Sequence, residues 1–145
     1  MIKNNRIIIY PNVRTLDVHG QGHFGAPRGN RVHMGVDYAV YPGTRVGARC
    51  KGTVTKIGRC YPDTTEYTYV QITTKEGYDE RYFYVEPYFI GIGDDVIEGE
   101  LLGHVQDLDD RYPGITPHIH FEVKDGDTFL KPEEYLEGRY VRVPS

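Results

Sequence analysis

Apolar and polar residues alternate with a period of two along much of this chain. Thr53-Val54-Thr55-Lys56-Ile57 reads that way, and so does Tyr67-Thr68-Tyr69-Val70-Gln71-Ile72. Successive side chains of a strand point to opposite faces, so such stretches predict half-buried β-strands. Arg81-Tyr82-Phe83-Tyr84-Val85 predicts a third strand, reached through a turn at Lys75-Glu76-Gly77. Residues 99–105, bounded by glycines, and residues 117–123 predict two more. A helical period is nearly absent. The exception is Lys131-Pro132-Glu133-Glu134-Tyr135-Leu136, where Pro sits in a first-turn position, acids follow it and Gly138 comes after. Closely spaced strands with turn signals between them predict an all-β fold of layered antiparallel sheets, a sandwich or a barrel.

At 145 residues the chain is one domain with room for a real core. No internal repeat, linker or low-complexity segment divides it. The segment after about residue 125 is expected to be a C-terminal arm, with 139–145 trailing. A formal net charge of −4 lacks the basic excess of a nucleic-acid binder. Seventeen Gly, nine Pro and 13 Tyr fit turns and strands, and the Tyr residues suit either the wall of a wet groove or half-buried strand positions. The first residues lack the apolar stretch of a secretory signal, and Ile7-Ile8-Ile9-Tyr10 is too short to cross a bilayer, so no membrane insertion is expected. Cys50 and Cys60 are either a pair or two inert thiols.

The candidate chemistry lies in His33-Met34-Gly35-Val36-Asp37 and, far down the chain, His118-Ile119-His120. On a strand, His118 and His120 share a face while Ile119 and Phe121 share the other. His33 and Asp37, with Gly35 between them, belong to an extended segment or loop. Each pair alone also reads as ordinary surface residues. Together they offer three ligands for one metal and a fourth side chain for proton transfer. Catalytic zinc sites take three protein ligands plus a water. Two His and one Asp leave the centre at about +1, enough to bring a bound water's pKa toward about 7. A hydrolase is the expected result.

These residues and their neighbours resemble the lysostaphin/LytM-type zinc metallopeptidases, which cut peptides of bacterial cell walls. The resemblance rests on His23-Phe24-Gly25 and Arg28, on His33 to Asp37, on Tyr41-Pro42-Gly43-Thr44-Arg45-Val46 and on Lys51-Gly52-Thr53-Val54. It continues in Ile92-Gly93-Asp94-Asp95-Val96-Ile97-Glu98-Gly99-Glu100-Leu101-Leu102-Gly103 and His118-Ile119-His120-Phe121-Glu122-Val123, so that it covers roughly residues 20 to 124. It implies antiparallel sheets with a narrow groove, Zn2+ held by His33, Asp37 and His120, and His118 as a catalytic residue. The partner it implies is the peptide part of peptidoglycan, met by a monomer. His118, with an imidazole pKa near neutrality, suits the general base.

One position departs from the family pattern. A second catalytic His is usual in a Tyr-x-His sequence, and here that place is Tyr84 in Tyr82-Phe83-Tyr84. Residues 83–87 and Arg111-Tyr112-Pro113-Gly114-Ile115 look more like the leukocyte chemotaxin branch of the same fold, which is regarded as a binding protein without peptidase activity. A Tyr hydroxyl is a neutral donor at pH 7, so Tyr84 is the candidate oxyanion donor. His23, Arg28 and Tyr82 are the candidate substrate contacts, with Arg31 a further candidate for a peptide carboxylate. His19 and His104 have no partner pattern. Asp107, Asp109 and Asp110 read as a solvated loop without the calcium-loop pattern. The expected setting is a phage endolysin, made in the host cytoplasm and reaching the wall when the membrane is breached. The alternative is a zinc-stabilised binding module like the chemotaxin branch.

Overall fold

The alternating stretches fold into two antiparallel sheets and a short ribbon. The computed structural model describes residues 17, 20–28 and 31–136. His19, the Arg31 side chain, the run at 7–10 and the expected arm at 139–145 lie outside the described residues. The elements in chain order are β1 (Pro27–Arg28), β2 (Arg31–Val32), β3 (Val36–Ala39), β4 (Arg45–Gly47), β5 (Gly52–Tyr61) and β6 (Thr64–Thr74). They continue with β7 (Asp79–Phe83), β8 (Val85–Pro87), β9 (Asp95–Val96), β10 (Leu101–Val105), β11 (His118–Asp125), β12 (Thr128–Leu130) and the short helix α1 (Pro132–Leu136). The large sheet runs β12-β11-β7-β6-β5-β9, with β3 also paired to β11; the small sheet runs β4-β10-β8, and β1 pairs β2. No described helix is long and apolar enough to cross a membrane.

The core lies where alternation sends the apolar set. Val70 and Ile72 of β6, Tyr82 of β7 and Ile119, Phe121 and Val123 of β11 turn inward, meeting Val46, Val85, Leu102 and Val105 of the small sheet. The opposite face of the large sheet carries the interleaved residues in register. Asp37 stands opposite His120, which stands opposite Phe83, which stands opposite Tyr69. One step along, Glu122, Arg81 and Gln71 form the next row. The sheet therefore sorts apolar side chains from chemical ones by pleat alone.

Two expectations are corrected here. The stretch at 125–130 is no arm: β12 closes a hairpin on β11, and the helix expected over 131–136 follows it as α1. Of the two readings open for the cysteines, the structure has the free thiols. The strand expected over 81–85 is interrupted at Tyr84, whose φ of 70° is left-handed. Tyr84 N–H donates to Thr68 O at 2.9 Å and its carbonyl accepts from Gln106 N–H at 2.8 Å, so neighbouring chain on both sides holds the bend. The break passes the chain from the large sheet to the small one. It also reverses the pleat: Phe83 and Tyr84 both reach the groove face, which strict alternation forbids.

Among the described residues, the core face carries a buried carboxylate. Glu80 is fully buried and receives Arg49 Nη2 at 2.6 Å, Arg49 Nε at 2.9 Å, Tyr82 Oη at 3.0 Å and Tyr135 Oη at 2.5 Å. A buried carboxylate is tolerable only when it is paired and hydrogen-bonded. These bonds tie β7, the chain after β4 and α1 into one block. Removing the cation leaves the charge uncompensated, so Arg49→Met is expected to destabilise by about 3 kcal/mol. Urea unfolding checks this, and a loss within about 0.5 kcal/mol, the usual range for a surface change, would assign Glu80 no dependence on the pair.

Candidate metal centre and groove

His33, Asp37, His118 and His120 meet at the floor of a groove of about 450 Å³, whose walls include Tyr61, Phe83, Tyr84 and Tyr112. The site's geometry follows from the β3–β11 pairing. Val36 and Tyr38 are core residues, so Asp37 between them faces the groove, directly opposite His120. His33 comes from the loop before β3 and reaches over Gly35. A Cβ on Gly35 would sit 2.7 Å from His120 Cε1, so only glycine lets the loop cross the ring.

Each imidazole has its tautomer set from behind. His33 Nδ1 lies 2.9 Å from His23 O, a carbonyl that can only accept, so Nδ1 carries the hydrogen and Nε2 the lone pair. His120 Nε2 lies 2.8 Å from Glu122 Oε1 and is likewise the donor, leaving Nδ1 as the lone-pair nitrogen. His118 Nδ1 donates to Thr116 O at 2.8 Å, leaving Nε2 facing Asp37 Oδ2 at 3.5 Å. His33 Nε2 and His120 Nδ1 then stand 2.9 Å apart, and 3.1 and 3.0 Å from Asp37 Oδ1. Two nitrogen lone pairs and a carboxylate oxygen so close repel one another unless a proton or a cation lies among them. Ligand atoms bound at about 2.0–2.1 Å around a tetrahedral metal are about 3.3 Å apart, a few tenths wider than these. The residues fit a small divalent cation, and they form a possible metal-binding group of His33, Asp37 and His120.

Behind the ligands runs a line of polar support. Glu122, which orients His120, lies 3.4 Å from Arg81 Nη1; Arg81 Nε donates to Gln71 Oε1 at 2.7 Å, and Gln71 Nε2 to Thr55 Oγ1 at 3.0 Å. Glu122 and Arg81 were not among the residues singled out from sequence. The period-two step from His118 through His120 to Glu122 is the signal that finds the first. Tyr61 and Tyr112 were also missed, since nothing local links them to the groove.

The remaining sequence candidates divide. Tyr84 flanks His118, ring edge to face at 5.4 Å between centroids. Burial, outweighing the hydrogen bond from Tyr61, pushes its hydroxyl up, so it stays a protonated donor. Arg28 lines the groove, bonded to Gln21 O at 2.7 Å and 3.5 Å from Asp37 Oδ2. The His23 side chain is exposed, and its contribution to the centre is its carbonyl. Tyr82 is a correction: it is fully buried on the core face, its hydroxyl on Glu80 and Arg49 N, because the pleat reverses only after it. His104 is half-buried beneath Tyr88.

Comparison with known proteins gives a consistent pattern. Residues 31–132 match the family model described as Peptidase family M23. Leukocyte cell-derived chemotaxin-2 of Bos taurus is 32% identical over 110 residues, spanning 76% of this chain and 72% of that protein. The catalytic domain of lysostaphin from Staphylococcus simulans superposes with a TM-score of 0.63 at 23% identity, over 81% of this chain and 90% of that one. Against the solution structure of lysostaphin the match spans 87% of this chain but 53% of that chain, with a TM-score of 0.64 and 23% identity. The catalytic domain of a point mutant of EnpA, a prophage-encoded M23 protein of Enterococcus faecalis, gives 0.64 at 23% identity over 90% and 95%. At these identities the structural matches speak for the fold.

The centre's protonation and its support have measurable consequences. Burial alone would lower the His120 pKa, but bonds to Asp37 and Glu122 outweigh it and raise it to about 9 without metal. Burial would raise Asp37, but in the absence of metal a proton held among the imidazoles, with the contacts to His120 and His33 and the nearby His118, keeps it well below the usual carboxylate range. A raised His pKa stabilises fully below its unfolded value of about 6.5 and fades as pH climbs toward the folded one; the depressed Asp37 loses its contribution only in acid. The melting temperature of chelated protein should therefore fall between pH 6.5 and about 9, and that of protein with added zinc should not share the drop. A chelated protein that melts at one temperature throughout would contradict this. Glu122→Gln should weaken metal affinity by about 10–100-fold, read by competition against a fluorescent chelator, while leaving the circular dichroism spectrum unchanged.

Proposed function

The chain belongs to peptidase family M23, and from that premise we propose that it is a zinc-dependent endopeptidase acting on peptides of bacterial peptidoglycan. One observation carries the reading: three ligand atoms converge in a groove beside a histidine whose lone pair faces the same point. Zinc held by His33, Asp37 and His120 would supply Lewis acidity toward a peptide carbonyl and toward water. The rest falls to the chain. His118 takes the proton of the attacking water at Nε2, in the tautomer that Thr116 O imposes, and gives it to the amine nitrogen as the peptide C–N bond breaks. Tyr84 donates its hydroxyl hydrogen to the carbonyl oxygen as charge gathers there, in place of the usual His. Aromatic walls from Tyr61, Phe83 and Tyr112 line the peptide's path, with Arg28 beside Asp37.

The biological setting we propose is phage-driven lysis, by a monomer that meets the wall once the host membrane is breached; the likeness to a prophage-encoded M23 protein supports it. A second reading, a zinc-stabilised binding module, draws support from the 32% identity to a leukocyte chemotaxin and from Tyr84 in the His position.

Digestion of purified Gram-negative and glycine-bridged peptidoglycan by zinc-loaded protein separates the two. New amino groups, located by mass spectrometry and abolished by His118→Ala or a chelator, are the expected outcome. Tyr84→Phe should lower turnover by about 10²–10³ at unchanged zinc content. Intact wall of both kinds, with stoichiometric zinc bound, would sink the peptidase reading in favour of the binding module.

A further inference from the structure

Three tyrosine hydroxyls from distant parts of the chain touch in one wall of the groove. Tyr84 Oη lies 2.8 Å from Tyr61 Oη, and Tyr61 Oη lies 2.8 Å from Tyr112 Oη. Tyr84 comes from the break between β7 and β8, Tyr61 from the end of β5, and Tyr112 from the loop before β11. The Tyr61 and Tyr84 rings stack at 28°, with centroids 6.3 Å apart. A hydroxyl has one hydrogen to give, so such a row can be polarised toward either end.

Arg111 sets the direction. Its guanidinium lies 3.6 Å over the Tyr61 ring and 5.9 Å from the Tyr112 ring centre, and it reaches Asp63 at 3.4 Å. A cation over a phenol ring draws charge from the ring's oxygen and makes that hydroxyl the stronger donor of the row. Tyr61 then gives its hydrogen to Tyr84, and Tyr84's is left to point away from Tyr61. What it meets there is the His118 ring and the Asp37 side of the groove.

We propose that Tyr61 and Tyr112 are positioning residues: a hydrogen-bond chain polarised by Arg111 holds the Tyr84 hydroxyl as a donor aimed into the groove. This rests on the peptidase reading for its use, and on the hydroxyl contacts for its existence. Each bond in such a chain strengthens the next, so the terminal hydroxyl donates better than an isolated one. The left-handed backbone at Tyr84 fits the same purpose, because it turns the ring out of the core face and onto Tyr61.

Two measurements test it. In steady-state cleavage of a wall peptide, Tyr61→Phe should lower kcat by about 3–10-fold, the worth of one hydrogen bond, with KM little changed. In a Tyr84→Phe background the same change should be silent. An undiminished Tyr61→Phe loss in that background would overturn the proposal. Independently of activity, NMR of protein with Cζ-labelled tyrosine assigns each slowly exchanging hydroxyl proton to its ring. The Tyr112 proton should contact the Tyr61 ring and the Tyr61 proton the Tyr84 ring, and Arg111→Met should shift both. The reverse order, or hydroxyl exchange as fast as in exposed tyrosines, would overturn the chain. Wild-type protein that cleaves no wall peptide yet shows the expected proton order would remove the peptidase reading and leave the chain standing.

Discussion

The antiparallel pairing of β3 with β11 is the contact on which the rest of the structure depends. It sets Asp37 opposite His120 and places His118 one pleat away on the same face. Electron pairs from two imidazoles and a carboxylate then face one another across about 3 Å, an arrangement stable only around a positive charge. Whatever supplies that charge also clamps β3, and the loop carrying His33, to the middle of the large sheet. The orienting bonds from His23 O, Thr116 O and Glu122 fix each ring before any cation arrives, so little ordering remains to oppose binding.

A second constraint sits at the seam between the sheets. A non-glycine residue in the left-handed region costs on the order of 1–3 kcal/mol, and Tyr84 bears that strain where the chain leaves β7 for β8. The break delivers a side chain to the groove that regular pleating would have buried beside Tyr82. Hydrogen bonds to Thr68 and Gln106 on either side of the bend, and the Tyr61 contact at its tip, over-determine the conformation.

The strands divide the groove between them. The candidate ligands belong to β11, to β3 and to the loop before it, whereas Tyr84 belongs to the β7–β8 seam. A change of side chain at the seam alters that wall of the groove without moving a candidate ligand. Replacing a His there by Tyr exchanges an ionisable donor for a neutral one. The buried Glu80–Arg49 pair stands on the other face of the sheet and keeps the core registered whichever donor the groove carries.

Much of this was legible in the chain itself. Period-two alternation gave the all-β class and the faces of β5, β6 and β11, and the spacing of His118 and His120 put both on one face. Those features are local: a pleat obeys residue order, and a ligand pair two apart needs no partner to be seen. Ligand chemistry suggested joining His33 and Asp37 to that pair, and resemblance to a family said which three are ligands and which one is the catalytic residue. The sequence also misled where a local rule was broken by distant contacts. Alternation grouped Tyr82 with Tyr84, and only the strained bend separates a core residue from a groove residue. Residues 125–130 lacked a strong strand signal because their order comes from pairing with β11. Tyr61, Arg111 and Tyr112 belong together only after β5 and the loop before β11 are brought side by side, since hydroxyl contacts are made by tertiary packing and leave no period in the sequence.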